Sequence, residues 1–241
     1  MTPDATRELL AEQLAYYRIG SREYEEANRD LLARADEDGE SRRLGYRHAL
    51  ALLNEVAPGR DVLELAGGTG IYTRHLCTIA SRLLVVDASP ESLDINRAAT
   101  AEAHIDVEYV LSDIFSWVPP RRFEVVVFAF WMSHVPYERF DGFWEFVDRA
   151  LAPRGTVAII DARPPAQQPG PSAVVRNFFT EQRIDDQISV RSLADGRQFR
   201  IVRIMWAPDA LRARLADLDW HAKINESSPW LVAAVRRTCE L

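Results

Sequence analysis

A strand-like run, Asp61-Val-Leu-Glu-Leu, breaks into Ala66-Gly-Gly-Thr-Gly70 and then into a helix-like segment. Glycines at such a bend let the backbone turn sharply and approach a ligand without a Cβ in the way. The helix that follows offers unpaired N–H groups in its first turn. About twenty residues on, at the end of a second apolar run, stands Asp87, where a carboxylate can bind the hydroxyls of a ribose. Asp87 also precedes Ser89-Pro90, a cap and a proline at the first helical position, so capping that helix is its alternative use. The glycines are too closely spaced for the G-x-G-x-x-G pattern of dinucleotide folds. Glu64, three residues before the first glycine, would repel a diphosphate, whereas a sulfonium ligand with a free ammonium group tolerates or favours such a charge.

The elements that must hold these residues follow from hydrophobic period and punctuation. Residues 6–35 read as helix, divided near Ile19-Gly20-Ser21, and 41–56 read as another that ends at Pro58-Gly59. From Arg60 the pattern alternates: strands at 61–66, 82–88, 105–114, 123–130 and 155–162, with helices between them, the last around 137–151. Short apolar strands separated by helices imply a mainly parallel sheet with helices on both faces. Beyond 162 the alternation stops. A Pro/Gln-rich loop (163–172) leads to a short helix near 173–181. Two β-type runs then flank Ala194-Asp-Gly-Arg197, a hairpin signal. A helix opened by Pro208 and two closing strands, Trp220–Ile224 and Trp230–Arg237, complete the chain.

Four ordered segments between residues 61 and 161 resemble the motifs of class I S-adenosylmethionine-dependent methyltransferases: LELAGGTG, VVDASPESL, SDIF and FAFWMSHVP. The final helix and two strands also match that family's ending. The resemblance implies an α/β, Rossmann-like fold: a seven-stranded, mostly parallel sheet with a reversed final hairpin. It also implies a helical cap over 1–57 and a methyltransferase domain over 58–241, in which 163–206 is an insertion covering the substrate. Gly68 and Gly70 would line the methionine half of S-adenosylmethionine, and Glu64 would act on that end through water or backbone. Asp87 would take the ribose diol and Ala88 would lie against adenine. Asp113 would hold the adenine amino group, with Ile114 against the ring, and Phe130 would follow the fourth strand into the pocket. Asp113 also reads as a turn residue after a strand. Ala66 stands where related sequences often have glycine, Gly67 where they often have cysteine, and Ser92 where they often have methionine.

Methyl transfer is an in-line displacement that needs a positioned nucleophile, and a base only where the acceptor must lose a proton first. His134, in Trp131-Met-Ser-His-Val-Pro136, follows the fourth strand at the sheet edge where open α/β folds bind ligands. It is the candidate base; its alternative is to orient the loop through backbone or cofactor contacts. That choice favours an oxygen acceptor over nitrogen or carbon. Tyr17 or Tyr24, in the N-terminal helices, would reach the donor carboxylate or else pack on an apolar face. Tyr72 would cover the methionine moiety or pack inward. Arg18 and Arg22 would meet the donor carboxylate, meet an acidic substrate, or remain solvated. Arg163, Arg176, Phe178, Phe179 and Trp206 offer walls and anion contacts in the cover.

With 29 Lys and Arg against 36 Asp and Glu, the formal charge is −7. The basic residues fall in scattered pairs, unlike the basic face of a nucleic-acid binder. The apolar runs are too short to span a bilayer and the N-terminus has no signal-peptide core. Two isolated cysteines, Cys77 and Cys239, form no disulfide framework or zinc spacing and fit a reducing cytoplasm. The expectation is a cytoplasmic monomer or homodimer that acts on a small molecule, releases S-adenosylhomocysteine, and uses no metal. Two rival expectations are a protein of the same fold that steers a different reaction with the same cofactor, and a non-catalytic binding partner.

Overall fold

The central strands are buried on both sides, and their residues alternate between two apolar layers. In the computed structural model, which describes residues 1–33, 35–164, 181–183 and 187–240, β1 (Asp61–Leu65) sends Leu63 and Leu65 to one layer and Val62 to the other. The strand β4 (Phe123–Ala129) divides likewise, Val126 and Phe128 from Val125 and Val127. This period of two with both faces covered is what a sheet sandwiched between helices requires.

The sheet is completed by β2 (Arg82–Asp87), β3 (Val107–Leu111), β5 (Leu151–Ala162), β9 (Trp220–Ile224) and β10 (Trp230–Arg237), in the order β3-β2-β1-β4-β5-β10-β9. Its seven strands are parallel except β10, which runs against both β5 and β9. The expected fold therefore stands, and of the closing hairpin only the last strand is reversed. After β1 the chain moves outward to β2 and β3, then crosses back to place β4 on the other side of β1. The carboxyl ends of β1 and β4 thus flank a topological switch point, where open α/β sheets bind ligands.

Helices α4 (Thr73–Ile79), α5 (Pro90–Ala99), α6 (Phe140–Ala150) and α7 (Pro208–Ala216) follow the strands. The predicted cap of α5 is present: Ser89 accepts from the Ser92 N–H at 3.0 Å, with Pro90 at the first position. At the N-terminus, α1 (Pro3–Ile19) and α2 (Ser21–Ala33) break at Gly20, where an added Cβ would stand 2.8 Å from Leu193 Cδ2. The third helix, α3 (Glu37–Val56), starts a turn earlier than its periodicity indicated, because Asp36 caps it through the Gly39 N–H at 3.0 Å.

Between β5 and α7 the chain builds a second, antiparallel sheet of β6 (Glu181–Arg183), β7 (Ile188–Ser192) and β8 (Gln198–Val202). Its Asp195-Gly196 turn is the predicted hairpin, closed by the Leu193 N–H on the Arg197 carbonyl at 2.9 Å with Gly196 at φ +86°. This sheet packs on α1: the Val202 N–H donates to Gln13 Oε1 at 2.9 Å and the Tyr16 and Phe199 rings lie 5.9 Å apart. Arg176, Phe178, Phe179 and all but the last residue of the helix expected near 173–181 lie outside the described residues; Glu181 belongs to β6. Among the described residues no helix is long and apolar enough to cross a membrane.

Candidate functional site

The loop after β1 rests on a buried chain of hydrogen bonds. Glu64, 2% exposed, accepts from the Thr73 hydroxyl at 2.7 Å, and that hydroxyl accepts from Asn96 Nδ2 at 2.9 Å. The same Asn96 amide donates to the carbonyls of Gly67 and Gly68 at 3.3 and 3.2 Å. Gly70 sits at φ +89°, and a Cβ there would lie 2.7 Å from Asn96 Oδ1, so this brace requires glycine. From above, Arg74 joins the loop to α2, donating to the Thr69 carbonyl at 3.3 Å and pairing with Glu25 at 2.7 Å.

Burial pushes the Glu64 carboxyl up to about 8; the Thr73 bond opposes the rise and the charge of Asp87 adds to it. A carboxyl raised from 4.5 to about 8 holds its proton in the folded state across a range where the unfolded chain has lost it. Stability on this group therefore falls as pH rises through that window, by at most about 1.4 kcal/mol per pH unit. Glu64→Gln, neutral throughout, is expected to flatten that slope when urea unfolding is compared at pH 5 and pH 8. An unchanged slope would mean that Glu64 is ionised in the fold.

At the switch point opens a cavity of about 770 Å³, toward the upper end for ligand pockets. Gly68, Asp87, Ala88, Asp113, Ile114 and Phe130 line it from the sheet edge. Asp87 faces the bend: its Oδ2 accepts from the Gly68 N–H at 2.9 Å and its Oδ1 from the Ser89 N–H at 2.8 Å. Burial raises its carboxyl against those two bonds and a third from the Ala88 N–H. A carboxylate has about four lone-pair positions, so acceptor capacity remains toward the cavity. Asp113, exposed, accepts from the Phe115 N–H at 3.1 Å.

Two features of this wall point to a ligand. Ala66 and Phe130, at the ends of β1 and β4, are held at φ +52° and +53°, where a non-glycine residue carries about 1 kcal/mol or more of strain. The Thr69 hydroxyl and the Trp131 indole N–H, both lining the cavity, have no hydrogen-bond partner among the described residues. A buried polar group left so costs about 1–3 kcal/mol, which a polar ligand would relieve. A nucleoside with an amino-acid tail supplies such groups, so the wall fits that class of cofactor.

Also lining the cavity, Tyr17 of α1 and His134 meet, the phenol oxygen 2.7 Å from Nε2. His134 Nδ1 lies 2.6 Å from the Val202 carbonyl. A carbonyl has no proton to give, so Nδ1 carries the hydrogen, and in the neutral ring Nε2 accepts from the Tyr17 hydroxyl. Burial raises the Tyr17 phenol well above its ordinary value, opposed by the charges of Arg191 and Arg203. The turn bearing His134 is pinned from three elements. Ser133 N–H donates to Asp161 Oδ2 at the end of β5 (2.8 Å), and Ser133 O accepts from the Ile204 N–H after β8 (2.8 Å). Arg203 donates to Ser133 Oγ at 2.8 Å, and Gln13 Nε2 reaches the His134 carbonyl at 3.5 Å.

Of the predicted residues, Tyr17, Gly68, Asp87, Ala88, Asp113, Ile114, Phe130 and His134 share the cavity, while Glu64 and Gly70 lie beneath its floor and brace the loop. Tyr24 also lines it, and Tyr72, 4% exposed, packs inward against Tyr46. Arg18 does not face a ligand; its half-exposed guanidinium pairs with Glu91 at 3.1 and 3.0 Å and ties α1 to α5. Arg163 lines the cavity but is anchored to the carbonyls of Glu226 and Ser228 at 3.1 and 3.0 Å. Trp206 is buried in the core beside Phe140, ring centroids 5.0 Å apart. Sequence reasoning missed Asn96, the Gln13 tie, and the arginines Arg191 and Arg203. No local pattern distinguishes these from ordinary helix and strand residues.

Comparison with known proteins gives three findings. Residues 62–155 match a family model described as a methyltransferase domain. Over 96 residues the chain is 33% identical to the release factor glutamine methyltransferase of Koribacter versatilis (strain Ellin345), covering 37% of this chain and 32% of that protein. The matched stretches span about a third to a half of the curated relatives. Two solved structures match far more fully. The DhpI–SAH complex is 32% identical over 95% of this chain and 97% of that one, with a TM-score of 0.74. The DhpI–SAM–HEP complex is 34% identical over the same shares, with a TM-score of 0.75.

Proposed function

Because the chain belongs to the class I S-adenosylmethionine-dependent methyltransferases, we propose that it transfers the donor's methyl group to a hydroxyl oxygen of a small molecule. The observation that carries the choice of oxygen is the Tyr17–His134–Val202 chain at the cavity wall, with contacts of 2.7 and 2.6 Å. A hydroxyl acceptor must lose a proton as it is methylated, and this chain is arranged to take it.

The donor site of this proposal is the sheet-edge wall. Asp87 receives the ribose diol, Ala88 and Ile114 flank the adenine, Asp113 takes its amino group, and Gly68 with Phe130 borders the methionine half. Glu64 and Gly70 shape that wall from below. Bound there, S-adenosylmethionine supplies a methyl group on a positively charged sulfur. The helices of 1–57 form the lid and 163–206 the substrate cover; the Arg74–Glu25 and Gln13–Val202 contacts, which tie lid to loop and lid to cover, support that division.

The protein's own part in the reaction is positioning and proton movement. The acceptor oxygen, placed beside Tyr17, gives its proton to the Tyr17 oxygen as Tyr17 passes its own to His134 Nε2. His134 thus acts through Tyr17, with Nδ1 fixed on the Val202 carbonyl. Holding nucleophile and methyl in line supplies much of the acceleration. Both cysteines are free, Cys77 buried and Cys239 exposed, which supports work in a reducing compartment such as the cytoplasm.

The test is a screen of hydroxyl-bearing metabolites with methyl-labelled donor, read by mass gain and by release of S-adenosylhomocysteine. A labelled methyl ether is the expected product. Label on nitrogen or carbon would overturn the oxygen choice. Donor binding without release of S-adenosylhomocysteine on any acceptor would overturn the transfer itself.

A further inference from the structure

We infer that the methyl acceptor carries an oxyanion, held beside Tyr17 by Arg191 and Arg203. This rests on the methyl-transfer reading and adds the acceptor's charge and anchoring point.

The chain has a formal charge of −7. Yet among the described residues that line the cavity, six are arginines and two are aspartates. The two signs also come from different elements. Asp87 and Asp113 stand at the ends of β2 and β3, on the wall assigned to the nucleoside. Arg191 on β7 and Arg203 just past β8 come from the insertion, on the Tyr17 side. Each of these two arginines is only 5% exposed, so each is held in place by its surroundings and not by solvent. Arg203 lies 3.9 Å from Asp161 and donates to Ser133 Oγ at 2.8 Å; Arg191 lies over the Tyr16 ring at 5.9 Å. Arg203 thus bonds the residue next to His134, and Arg191 lies over Tyr16, whose ring meets that of Tyr17 at 5.0 Å; the charges of both also bear on the phenols of Tyr17 and Tyr24.

The planar fork of arginine matches the paired oxygens of carboxylate, phosphate or sulfate groups. Arg191 is set by a strand of the hairpin sheet that packs on α1, and Arg203 by its bond to the His134 turn. An acceptor clamped by its anionic end presents a neighbouring hydroxyl to Tyr17 with little orientational freedom, which is what the transfer step needs. The competing occupant of the arginines is the carboxylate of the donor's methionine half, and the test must separate the two.

The protein is first saturated with S-adenosylhomocysteine, which brings its own carboxylate, and its affinity is recorded by calorimetry. Melting midpoints are then followed as sodium phosphate replaces sodium chloride at constant ionic strength, for wild type and Arg191→Gln, with sulfate and acetate in parallel. The expected result is a saturating rise of about 3 °C or more in wild type, from at least one of the three anions, that is absent in Arg191→Gln. The variant should keep its affinity for S-adenosylhomocysteine within about threefold. Equal rises in both proteins would be the general effect of excluded salts and would overturn the inference. So would a rise seen only in a parallel series without S-adenosylhomocysteine and absent from the loaded protein, because the arginines would then serve the donor. Should Arg191→Gln not fold, the phosphorus resonance of inorganic phosphate must broaden on addition of the loaded wild-type protein; an unbroadened line refutes the clamp. If S-adenosylhomocysteine itself does not bind, the methyl-transfer reading falls, and this inference with it.

Discussion

Replacing Asp87 by alanine is expected to weaken S-adenosylmethionine binding by about 100-fold or more, measured by calorimetry on folded protein. Two losses combine. The ribose diol loses a charged acceptor, and hydrogen bonds to charged groups contribute about 1.5–3 kcal/mol each. The N–H groups of Gly68 and Ser89, now bonded to the two carboxylate oxygens at 2.9 and 2.8 Å, lose their partner, so the bend itself relaxes. Asp87→Asn keeps an acceptor and removes the charge, and should fall between the variant and wild type. Near-wild-type affinity in Asp87→Ala would show that the carboxylate only holds the bend.

The second large effect concerns turnover with donor affinity preserved. Tyr17→Phe retains the ring, which packs edge-on to Tyr16 at 5.0 Å and to Tyr24 at 6.4 Å, and removes only the hydroxyl. Its kcat should fall by about 100-fold or more, the usual scale of general-base assistance. His134→Ala should fall similarly, and the double variant little further, because two members of one relay do not act independently. The pH profile separates relay from scaffold. Protonating His134 removes the acceptor at Nε2, so wild-type kcat should decline as the pH falls. That acid limb should vanish in His134→Ala, whereas a merely structural role would lower kcat and leave the limb in place.

What was legible in the sequence was what is local. The bend, its glycines, Asp87 and the Ser89-Pro90 cap lie within one strand–turn–helix–strand stretch, where spacing alone fixes geometry, and the cavity forms there. Asn96 belongs to the same stretch yet gave no signal, because a buried asparagine inside a helix is written like an exposed one. The relay was half legible: His134 stands at a sheet edge that alternation predicts, but its partner Tyr17 is 117 residues away. The Gln13–Val202 contact spans 189 residues. Such pairings depend on how α1 seats on the second sheet, which no local period encodes. Arg18 illustrates the same limit. One turn from Arg22 it read as a ligand contact or as a solvated residue, and Glu91 on a neighbouring helix pairs with it at 3.0 Å.

The strained ends of β1 and β4 at Ala66 and Phe130 connect fold to function. Both sit at the switch point, where the sheet's own hydrogen bonds end; the Phe130 N–H still reaches the Ile160 carbonyl at 2.7 Å. Held there, Phe130 meets Trp230 edge-on at 5.1 Å and both rings wall the cavity.

A crystal structure of the complex with S-adenosylhomocysteine tests the central claim most directly. It should show the ribose hydroxyls within about 2.6–3.2 Å of the Asp87 carboxylate, the adenine between Ala88 and Ile114, and the sulfur turned toward the Tyr17 side of the cavity. A nucleoside bound elsewhere, or an Asp87 side chain swung away from it, would contradict the site described.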